Sequence, residues 1–367
     1  KNIAFLEVRP LFVDFNQSTP TVLASDLEQF NAQILKEFPG KLNFVYGKEK
    51  WAIDFGKHPE QIFFDKKNYN LADGQLPFTM TWNPVSFSKF VDENKLTKLE
   101  QLPENIKIWR DIDDKVQFEG HGADGRAIDR EHFLALVNNA IANKKTEIEI
   151  PLDIVLPKLD IDEKLQTLGV REIVSVGYTR FVGSPPNRIH NIDIGVARFN
   201  GLLIAPGETF SFNDNLGVVD ASTGYKKELV IKPEGTIPEF GGGLCQVSST
   251  MYRAALFAGL PIAERSPHTY AVTYYSQVLG HGLDATIYPP SKDLRFVNDT
   301  PGYILIHSYV DGPAAYFKFF GTNDGRKIEM DGPYISNRIN PPSEPMLVPD
   351  SKLAPGEKKQ VEKPHGG

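Results

Sequence analysis

Apolar residues recur at helical spacing in two parts of the chain. Along 23–38 they stand three or four positions apart, and the same spacing returns between 128 and 141. This periodicity predicts two amphipathic helices. A short helix is also predicted at 87–94, and two further helices at 190–199 and 245–259.

Strands are predicted where β-branched and aromatic residues cluster over short runs. Residues 41–46 and 49–54 predict a hairpin that turns at Gly47-Lys48. The first sixteen residues predict an extended segment, and a partly similar sequence occurs again near residue 147. The other predicted strands are 115–118, 171–178, 260–264, 303–309 and 315–320.

The order of these elements predicts two domains of the α+β class. Residues 1–20 are a lead-in strand or linker, 21–160 a first domain and 165–330 a second. In the second domain, a central helix starting near Cys245 is expected to pack on an antiparallel sheet. Residues 331–367 are rich in Pro, Lys and Glu, which predicts a tail or the start of another module.

Composition and charge exclude several classes of protein. The net charge is −7 and no basic stripe exists, so nucleic acid is not expected as a partner. No run of 18 apolar residues is present, so no transmembrane segment is predicted. A single cysteine excludes internal disulfides and zinc sites built on several thiolates. No metal or other cofactor is predicted, and we expect both chain ends to be boundaries within a longer protein.

The single cysteine stands where a thiol becomes reactive. Cys245 follows the run Gly241–Gly243 and opens the predicted helix 245–259. A helix N-terminus offers unpaired N–H groups and a positive dipole end, which favour thiolate over thiol. A glycine turn also lets the backbone approach a substrate closely. Two interpretations stay open at this point: Cys245 is a nucleophile, or it is a small buried hydrophobic residue.

A histidine and an aspartate later in the chain supply the partners that a nucleophilic cysteine needs. His268 follows the strand 260–264, and the path back from the helix end is long enough to bring its ring beside the thiol. Asp284 is then placed to orient the ring by accepting its second N–H. His281 is a rival for the role of base. The alternatives are a hydrogen-bonded loop histidine and an ordinary turn aspartate.

Three polar residues are predicted to bind substrate. Arg188 offers a two-point contact to a carboxylate, although a surface position or a helix-start salt bridge is an equal alternative. Glu239 stands shortly before the glycine run. Gln246 offers a donor to a developing oxyanion through its backbone or its side chain.

Five short motifs follow one another along the second domain: Asn187-Arg188-Ile-His-Asn191-Ile, Asn200-Gly-Leu-Leu-Ile-Ala-Pro206-Gly-Glu-Thr-Phe210-Ser-Phe-Asn213, Gly241-Gly-Gly-Leu-Cys245-Gln-Val-Ser-Ser249, Glu264-Arg265-Ser-Pro-His268 and Gly282-Leu-Asp284-Ala-Thr. In this order they resemble the VanW-like family of bacterial cell-envelope proteins. The resemblance implies a cell-wall setting and an association with glycopeptide (vancomycin) resistance, without a settled activity.

The region from about 20 to 150 resembles the peptidoglycan-binding module found ahead of VanW-like or L,D-transpeptidase domains. That resemblance implies peptidoglycan or its peptide fragments as the partner. It also implies an extracellular, wall-associated location, reached by export or by an anchor outside this chain.

The order of Cys245, His268 and Asp284 is also similar to that of the transglutaminase-like group of papain-like folds. In that group a cysteine on the core helix faces a histidine and an aspartate on adjacent strands. The expected function is therefore a cysteine-dependent amidase, peptidase or transpeptidase acting on stem or cross-bridge peptides. The alternative is a non-catalytic peptidoglycan-binding or scaffolding protein with a buried Cys245, and a third is a redox or lipid-attachment role for that thiol.

Overall fold

A computed structural model gives the fold of the chain as two compact units. It describes residues 22, 24–28, 30–66, 78–232, 235–268, 272, 274, 277–332, 334, 336, 344, 347 and 353–358. Unit 1 takes its described residues from Lys1–Glu104 and Gly122–Pro157, and unit 2 from Asn105–His121 and Lys158–Gly367. The predicted lead-in strand 1–20 and most of the predicted tail lie outside the described residues.

The helices among the described residues are short, and the longest of them has 14 residues. In chain order they are α1 (Ala24–Glu28), α2 (Asn31–Glu37), α3 (Pro84–Glu93), α4 (Arg130–Ala142), α5 (Glu163–Thr167), α6 (Pro186–Ala197), α7 (Phe212–Leu216) and α8 (Leu244–Phe257).

The strands form several small sheets. In chain order they are β1 (Lys41–Tyr46), β2 (Glu49–Asp54), β3 (Ile62–Lys66), β4 (Phe78–Trp82), β5 (Ile106–Arg110), β6 (Val116–Glu119), β7 (Gly125–Ala127), β8 (Glu147–Glu149), β9 (Asp153–Val155), β10 (Leu159–Ile161), β11 (Glu172–Arg180), β12 (Leu203–Ile204), β13 (Thr209–Ser211), β14 (Lys227–Lys232), β15 (Gly235–Phe240), β16 (Ile262–Glu264), β17 (Arg295–Val297), β18 (Ile304–Asp311) and β19 (Ala314–Gly321).

The α+β class is confirmed, and most predicted elements are present with shifted ends. The hairpin at Gly47-Lys48 is formed by β1 and β2. The predicted helix 23–38 is divided into α1 and α2, which are separated near Phe30. The predicted helix 190–199 begins earlier, at Pro186, because a proline is favoured at the first position of a helix.

Buried aromatic side chains form the core of unit 1. Trp82 is fully buried, and the rings of Phe55, Phe87 and Phe90 lie 5.1–5.2 Å from its ring, with Phe44 at 6.0 Å. The indole N–H donates to Oε1 of Gln61 at 3.1 Å, so the polar edge of the ring keeps a partner inside the core.

The boundary between the units differs from the predicted one. The predicted first domain, 21–160, includes the segment 105–121, which belongs to unit 2. There β5 pairs in parallel with β10, and Ile106 and Ile108 are buried in a cluster with Leu305. A parallel partner lies far away in the sequence, so the local pattern of this segment could not reveal its domain.

Unit 2 is built on a four-stranded antiparallel sheet in the order β11-β19-β18-β12. Helices α6 and α8 bury their apolar side chains against it, in one core that includes Val196, Met251 and Phe317. The predicted central helix near Cys245 is therefore present as α8 and packs on an antiparallel sheet, as expected.

Close contact between α8 and β11 depends on a residue without a side chain. A Cβ atom added at Gly177 would lie 2.4 Å from both the Thr250 carbonyl oxygen and the Ala254 nitrogen. On either side of this glycine, Ser175 Oγ donates to the Ala254 carbonyl at 2.8 Å, and the Thr179 and Thr250 hydroxyls lie 2.7 Å apart.

Replacing Gly177 by alanine is therefore expected to destabilise unit 2. Because the neighbouring atoms are backbone and the interior is already packed, the helix must move, at a cost of about 1–3 kcal/mol. Urea unfolding of the full chain measures the change. Gly321→Ala is the matched control in the same sheet, since its added Cβ meets atoms no closer than 3.6 Å. Equal stability of the two variants would contradict the expectation.

Candidate functional site

The thiol lies at the start of the helix that packs on the sheet. Cys245 is the second residue of α8 and is half-buried. Its Sγ donates to the Ile287 carbonyl oxygen at 3.6 Å. The Cys245 backbone N–H forms no hydrogen bond to a described residue. Unpaired N–H groups of this kind are typical of helix N-termini.

The glycine run before the thiol has a structural reason for each residue. Gly241 and Gly243 have φ values of 81° and 116°, which side-chain-bearing residues rarely adopt. A Cβ on Gly242 would lie 2.7–2.8 Å from Glu228 of β14. The run is therefore needed for the turn itself and for its contact with β14. The sequence alone suggested that this run lets the backbone approach a substrate closely. With these structural roles, the run is not by itself a sign of such an approach.

His268 and Asp284 meet as the sequence predicted. The His268 Nδ1 lies 2.5 Å from the Asp284 Oδ2, and the His268 backbone N–H donates to the same oxygen at 2.9 Å. Both side chains are largely buried, with 5% and 12% of their surfaces exposed. The carboxylate therefore fixes both the ring and the backbone of His268.

The imidazole also interacts with the thiol, which completes a connected set of three side chains. Burial of the ring acts to lower the pKa of His268 and is the largest single influence. Hydrogen bonds and electrostatic interactions with Asp284 and Cys245 outweigh burial and raise that pKa to about 9. The ring of His268 is therefore a cation at neutral pH.

Asp284 is held in its charged form by the same contacts. Burial, its largest influence, acts to raise the pKa of Asp284. Hydrogen bonds from the ring and backbone of His268 and the charge of Arg265 act in the opposite direction, and the pKa lies below its ordinary value. Raised and lowered pKa values in one connected group are typical of functional sites.

The other histidines near the sequence motifs lie elsewhere. His281, the predicted rival for the base, is solvent-exposed, and among the described residues the hydrogen bonds of Cys245 go to Ile287 and His268. His190 binds the Gly224 carbonyl at 2.9 Å through its Nε2. The structure thus brings His268, and not His281, to the thiol.

The extended segment 283–287 is attached to α8 by side chains of the helix. Ser248 Oγ donates to the Ala285 carbonyl at 2.6 Å, and the Ala285 N–H donates to Ser249 Oγ at 3.0 Å. The contact between Cys245 and Ile287 lies two residues further along the same segment. The helix that carries the cysteine therefore also places the segment that carries the aspartate.

Arg188 lies beside the glycine turn with its charge largely buried. It is on α6 and is 8% exposed, and its stem faces Gly243. Its Nη1 donates to Ser184 Oγ at 2.7 Å, and its guanidinium lies 4.1 Å from the ring centre of Tyr274. No described carboxylate forms an ion pair with it, so the predicted alternative of a helix-start salt bridge is not what the described residues show.

The other two predicted substrate-binding residues, Glu239 and Gln246, lie in different surroundings. Glu239 lies on β15 opposite Glu228 of β14, in the hairpin that leads into the glycine turn. Gln246 is fully buried and faces β11, where its side-chain nitrogen donates to Thr179 Oγ1 and to the Arg180 carbonyl. Its backbone N–H donates to the Gly243 carbonyl. Both donors of the expected oxyanion contact are thus engaged, so Gln246 has a packing role.

Comparisons with known proteins place this site in a family. A family model described as VanW like protein matches residues 187–320. The protein YoaR of Bacillus subtilis (strain 168), described as uncharacterized, is 32% identical over 237 residues, which are 63% of this chain and 75% of that protein. The chain belongs to the VanW-like family.

A second member of the family has a more informative name. The vancomycin B-type resistance protein VanW of Enterococcus faecalis (strain ATCC 700802 / V583) is 36% identical over 117 residues. These residues are 31% of this chain and 42% of that protein. No solved structure matches the chain.

The VanW-like match contains Arg188, Cys245, His268 and Asp284, so all of the site lies in unit 2. Within the part of the chain that the structure describes, no three His, Cys, Asp or Glu side chains are grouped as a metal site. No described helix is both long enough and apolar enough to span a membrane.

Sequence reasoning missed the residues that hold the site together. Ser249 and Arg253 follow Cys245 at intervals of four residues, which places all three on one face of a helix. This row of three side chains on one face of the helix was the available signal. Arg265 was part of a family phrase but received no role.

Proposed function

We propose that unit 2 is a cysteine-dependent amidase, peptidase or transpeptidase that acts on stem or cross-bridge peptides of peptidoglycan. The observation that carries the proposal is the connected set of Cys245, His268 and Asp284 at the start of a core helix. A thiol beside an imidazole that a carboxylate orients is the arrangement used for nucleophilic catalysis.

The reaction begins with Cys245 as a thiolate beside the protonated ring of His268. The sulfur attacks the carbonyl carbon of a peptide amide, and the C–S bond forms as the carbonyl oxygen becomes an oxyanion. The free backbone N–H of Cys245 is placed at the helix N-terminus to stabilise that charge.

The tetrahedral intermediate then releases the amine. The C–N bond breaks, and His268 gives its proton to the leaving nitrogen. A thioester remains on Cys245. Neutral His268 next removes a proton from water or from an acceptor amine, which attacks the thioester. The products are a carboxylic acid after hydrolysis, or a new amide after transfer, with the thiolate–imidazolium pair restored.

Arg188 supports a substrate that carries a carboxylate. Its guanidinium is largely buried beside the glycine turn and has Ser184 as a hydrogen-bond partner but no described carboxylate. An anionic ligand would stabilise a buried cation of this kind, and a guanidinium group can form two hydrogen bonds to one carboxylate. In this proposal Glu239, on the hairpin that leads into the turn, contacts the amine side of the same peptide.

The cell-wall setting rests on the family. The relative from Enterococcus faecalis is named for vancomycin resistance, and this supports a role in the same envelope process for this chain. We extend the proposal to unit 1 as a peptidoglycan-binding module and to an extracellular, wall-associated location. Peptidoglycan or its fragments would then be the partner of both units.

The test uses the full chain and a broad panel of muropeptides and cross-linked fragments. Wild type is expected to release or transfer amide products that mass spectrometry detects, and Cys245→Ala and Cys245→Ser are expected to form none. Circular dichroism checks that both variants fold. A panel on which wild type and variants are equally inert, with a thiol unreactive toward iodoacetamide, would instead support a non-catalytic binding domain.

A further inference from the structure

Three successive carbonyl groups around Asp284 each accept a hydrogen bond from an arginine. Arg265 Nη2 donates to the Gly282 carbonyl at 2.6 Å, and Arg265 Nε donates to the Asp284 carbonyl at 2.7 Å. Arg253 Nε donates to the Leu283 carbonyl at 2.9 Å. Arg265 thus binds the first and third of these carbonyls, and Arg253 binds the second.

The two arginines are themselves fixed by different elements. Arg253 is fully buried on α8, and its Nη1 also donates to the Tyr178 carbonyl at 3.2 Å. Arg265 follows β16, and its guanidinium lies 5.2 Å from the ring centre of Tyr252, again on α8. The segment around Asp284 is thus held between the cysteine-bearing helix and the loop that leads to His268.

The carboxylate of Asp284 is divided between two partners. Its Oδ2 binds the ring and backbone of His268, whereas its Oδ1 lies 3.3 Å from Arg265 Nη2. Among the described residues, the charged groups that act on Asp284 include His268, Arg265 and, at longer range, Arg253. The described groups that act on His268 include Asp284 and Cys245.

We propose that Arg253 and Arg265 form an arginine brace, a pair of positioning residues that keeps Asp284 Oδ2 on the ring of His268. The catalytic consequence of the brace rests on the proposed function, but its effect on His268 does not require a substrate. Without the brace, the carboxylate can rotate toward solvent, and the imidazolium loses the partner that stabilises its proton.

Replacing Arg265 changes the pKa of His268 in opposite directions, depending on whether the arginine acts by positioning Asp284 or by its charge alone. This difference makes the brace testable. Arg265 is a cation near His268, so its removal by charge alone would stabilise imidazolium and raise the pKa of the ring. Loss of positioning acts in the opposite direction, because the ring loses its contact with the carboxylate. The brace therefore predicts a fall in the pKa of His268 when Arg265 is replaced, against the direction of the charge change.

The experiment is an NMR titration of the full chain labelled at its eight histidines. The His268 signal is assigned by its loss in His268→Gln. In Arg265→Met the titration midpoint is expected to fall by about 1 pH unit or more from the wild-type value. A midpoint that stays in place or rises would overturn the brace.

Arg265→Lys keeps the positive charge but loses the planar fork that binds two carbonyls, so its midpoint is also expected to fall. It serves as the second variant if Arg265→Met does not fold.

Arg326→Met is the matched control, because Arg326 also joins a carbonyl, that of Gly259, to carboxylates far from the site. A similar fall in Arg326→Met would show a general loss of stability and overturn the assignment. Failure of this titration test would leave the muropeptide result for Cys245 unaffected, so the two proposals fail separately.

Discussion

Replacing His268 by glutamine is expected to lower turnover of a peptide substrate by about 10²–10⁴-fold, the range typical of a lost general acid–base. The same change is expected to slow alkylation of Cys245 by iodoacetamide at pH 7 by about 10- to 30-fold. The reason is that the protonated ring of His268 is hydrogen-bonded to Cys245 and favours the reactive thiolate. Glutamine removes the imidazolium that favours the thiolate and leaves the thiol with the Ile287 carbonyl as a neutral partner.

The pH dependence follows from the raised pKa of His268. Because that pKa is about 9, the ring keeps its proton throughout the neutral range and loses it as the pH rises through about 9. Proton donation to the leaving amine is then lost, so turnover by wild type is expected to decline above that pH. An ordinary histidine would place the decline near pH 6.5.

His281→Gln is the matched control for this experiment. His281 lies three residues before Asp284 but is solvent-exposed, and the described hydrogen bonds of the thiol go to Ile287 and His268 instead. Its replacement is expected to leave the alkylation rate and the pH profile unchanged. An equal loss of thiol reactivity in the two variants, or none in His268→Gln, would contradict the assignment of His268 as the partner of Cys245.

Replacing Trp82 by alanine is expected to destabilise unit 1 by about 3–5 kcal/mol, which is comparable to the whole stability of many domains. Trp82 is fully buried, and four phenylalanine rings surround it. Alanine would leave a cavity that these rings cannot fill by small shifts, and Gln61 would lose its hydrogen-bond partner.

Urea unfolding, followed by near-ultraviolet circular dichroism, measures this loss. Trp51→Ala is the matched control, because Trp51 is only partly buried on β2 of the same unit, and a smaller loss is expected. The alkylation rate of Cys245 reports separately on whether unit 2 remains folded. Similar stabilities for Trp82→Ala and Trp51→Ala would contradict the assignment of Trp82 as the centre of this core.

The elements that were predicted well are those whose signals are local. The hairpin at Gly47-Lys48 and the helix α4 were both visible in the sequence, the latter because Asp129 caps its first turn and its apolar residues follow at helical spacing. The placement of 105–121 was wrong because β5 pairs with a strand more than fifty residues later. Such pairing depends on sheet geometry, which a local pattern does not contain.

In the candidate site too, local sequence signals were read correctly, whereas a feature that depends on packing between elements was not. The order of residues around Cys245, His268 and Asp284 was sufficient to name three side chains that the structure brings into one network. It was not sufficient for Gln246. That residue's position next to the thiol suggested a role in catalysis, whereas its helical phase directs the side chain into the contact with β11.

The sequence by itself determined the α+β class of the chain and its family, and it named Cys245 as the candidate thiol together with candidate partners for it. These features depend on residue type, on short-range periodicity and on the order of motifs. Only the tertiary structure decided that the three glycines serve the turn and its contact with β14, and that His268 rather than His281 reaches Cys245. The reason is that the site is formed by side chains from three separate elements: α8, the segment 283–287 and the loop after β16. These side chains meet only when the helix packs on its sheet. The residue spacing along one element does not encode distances to another.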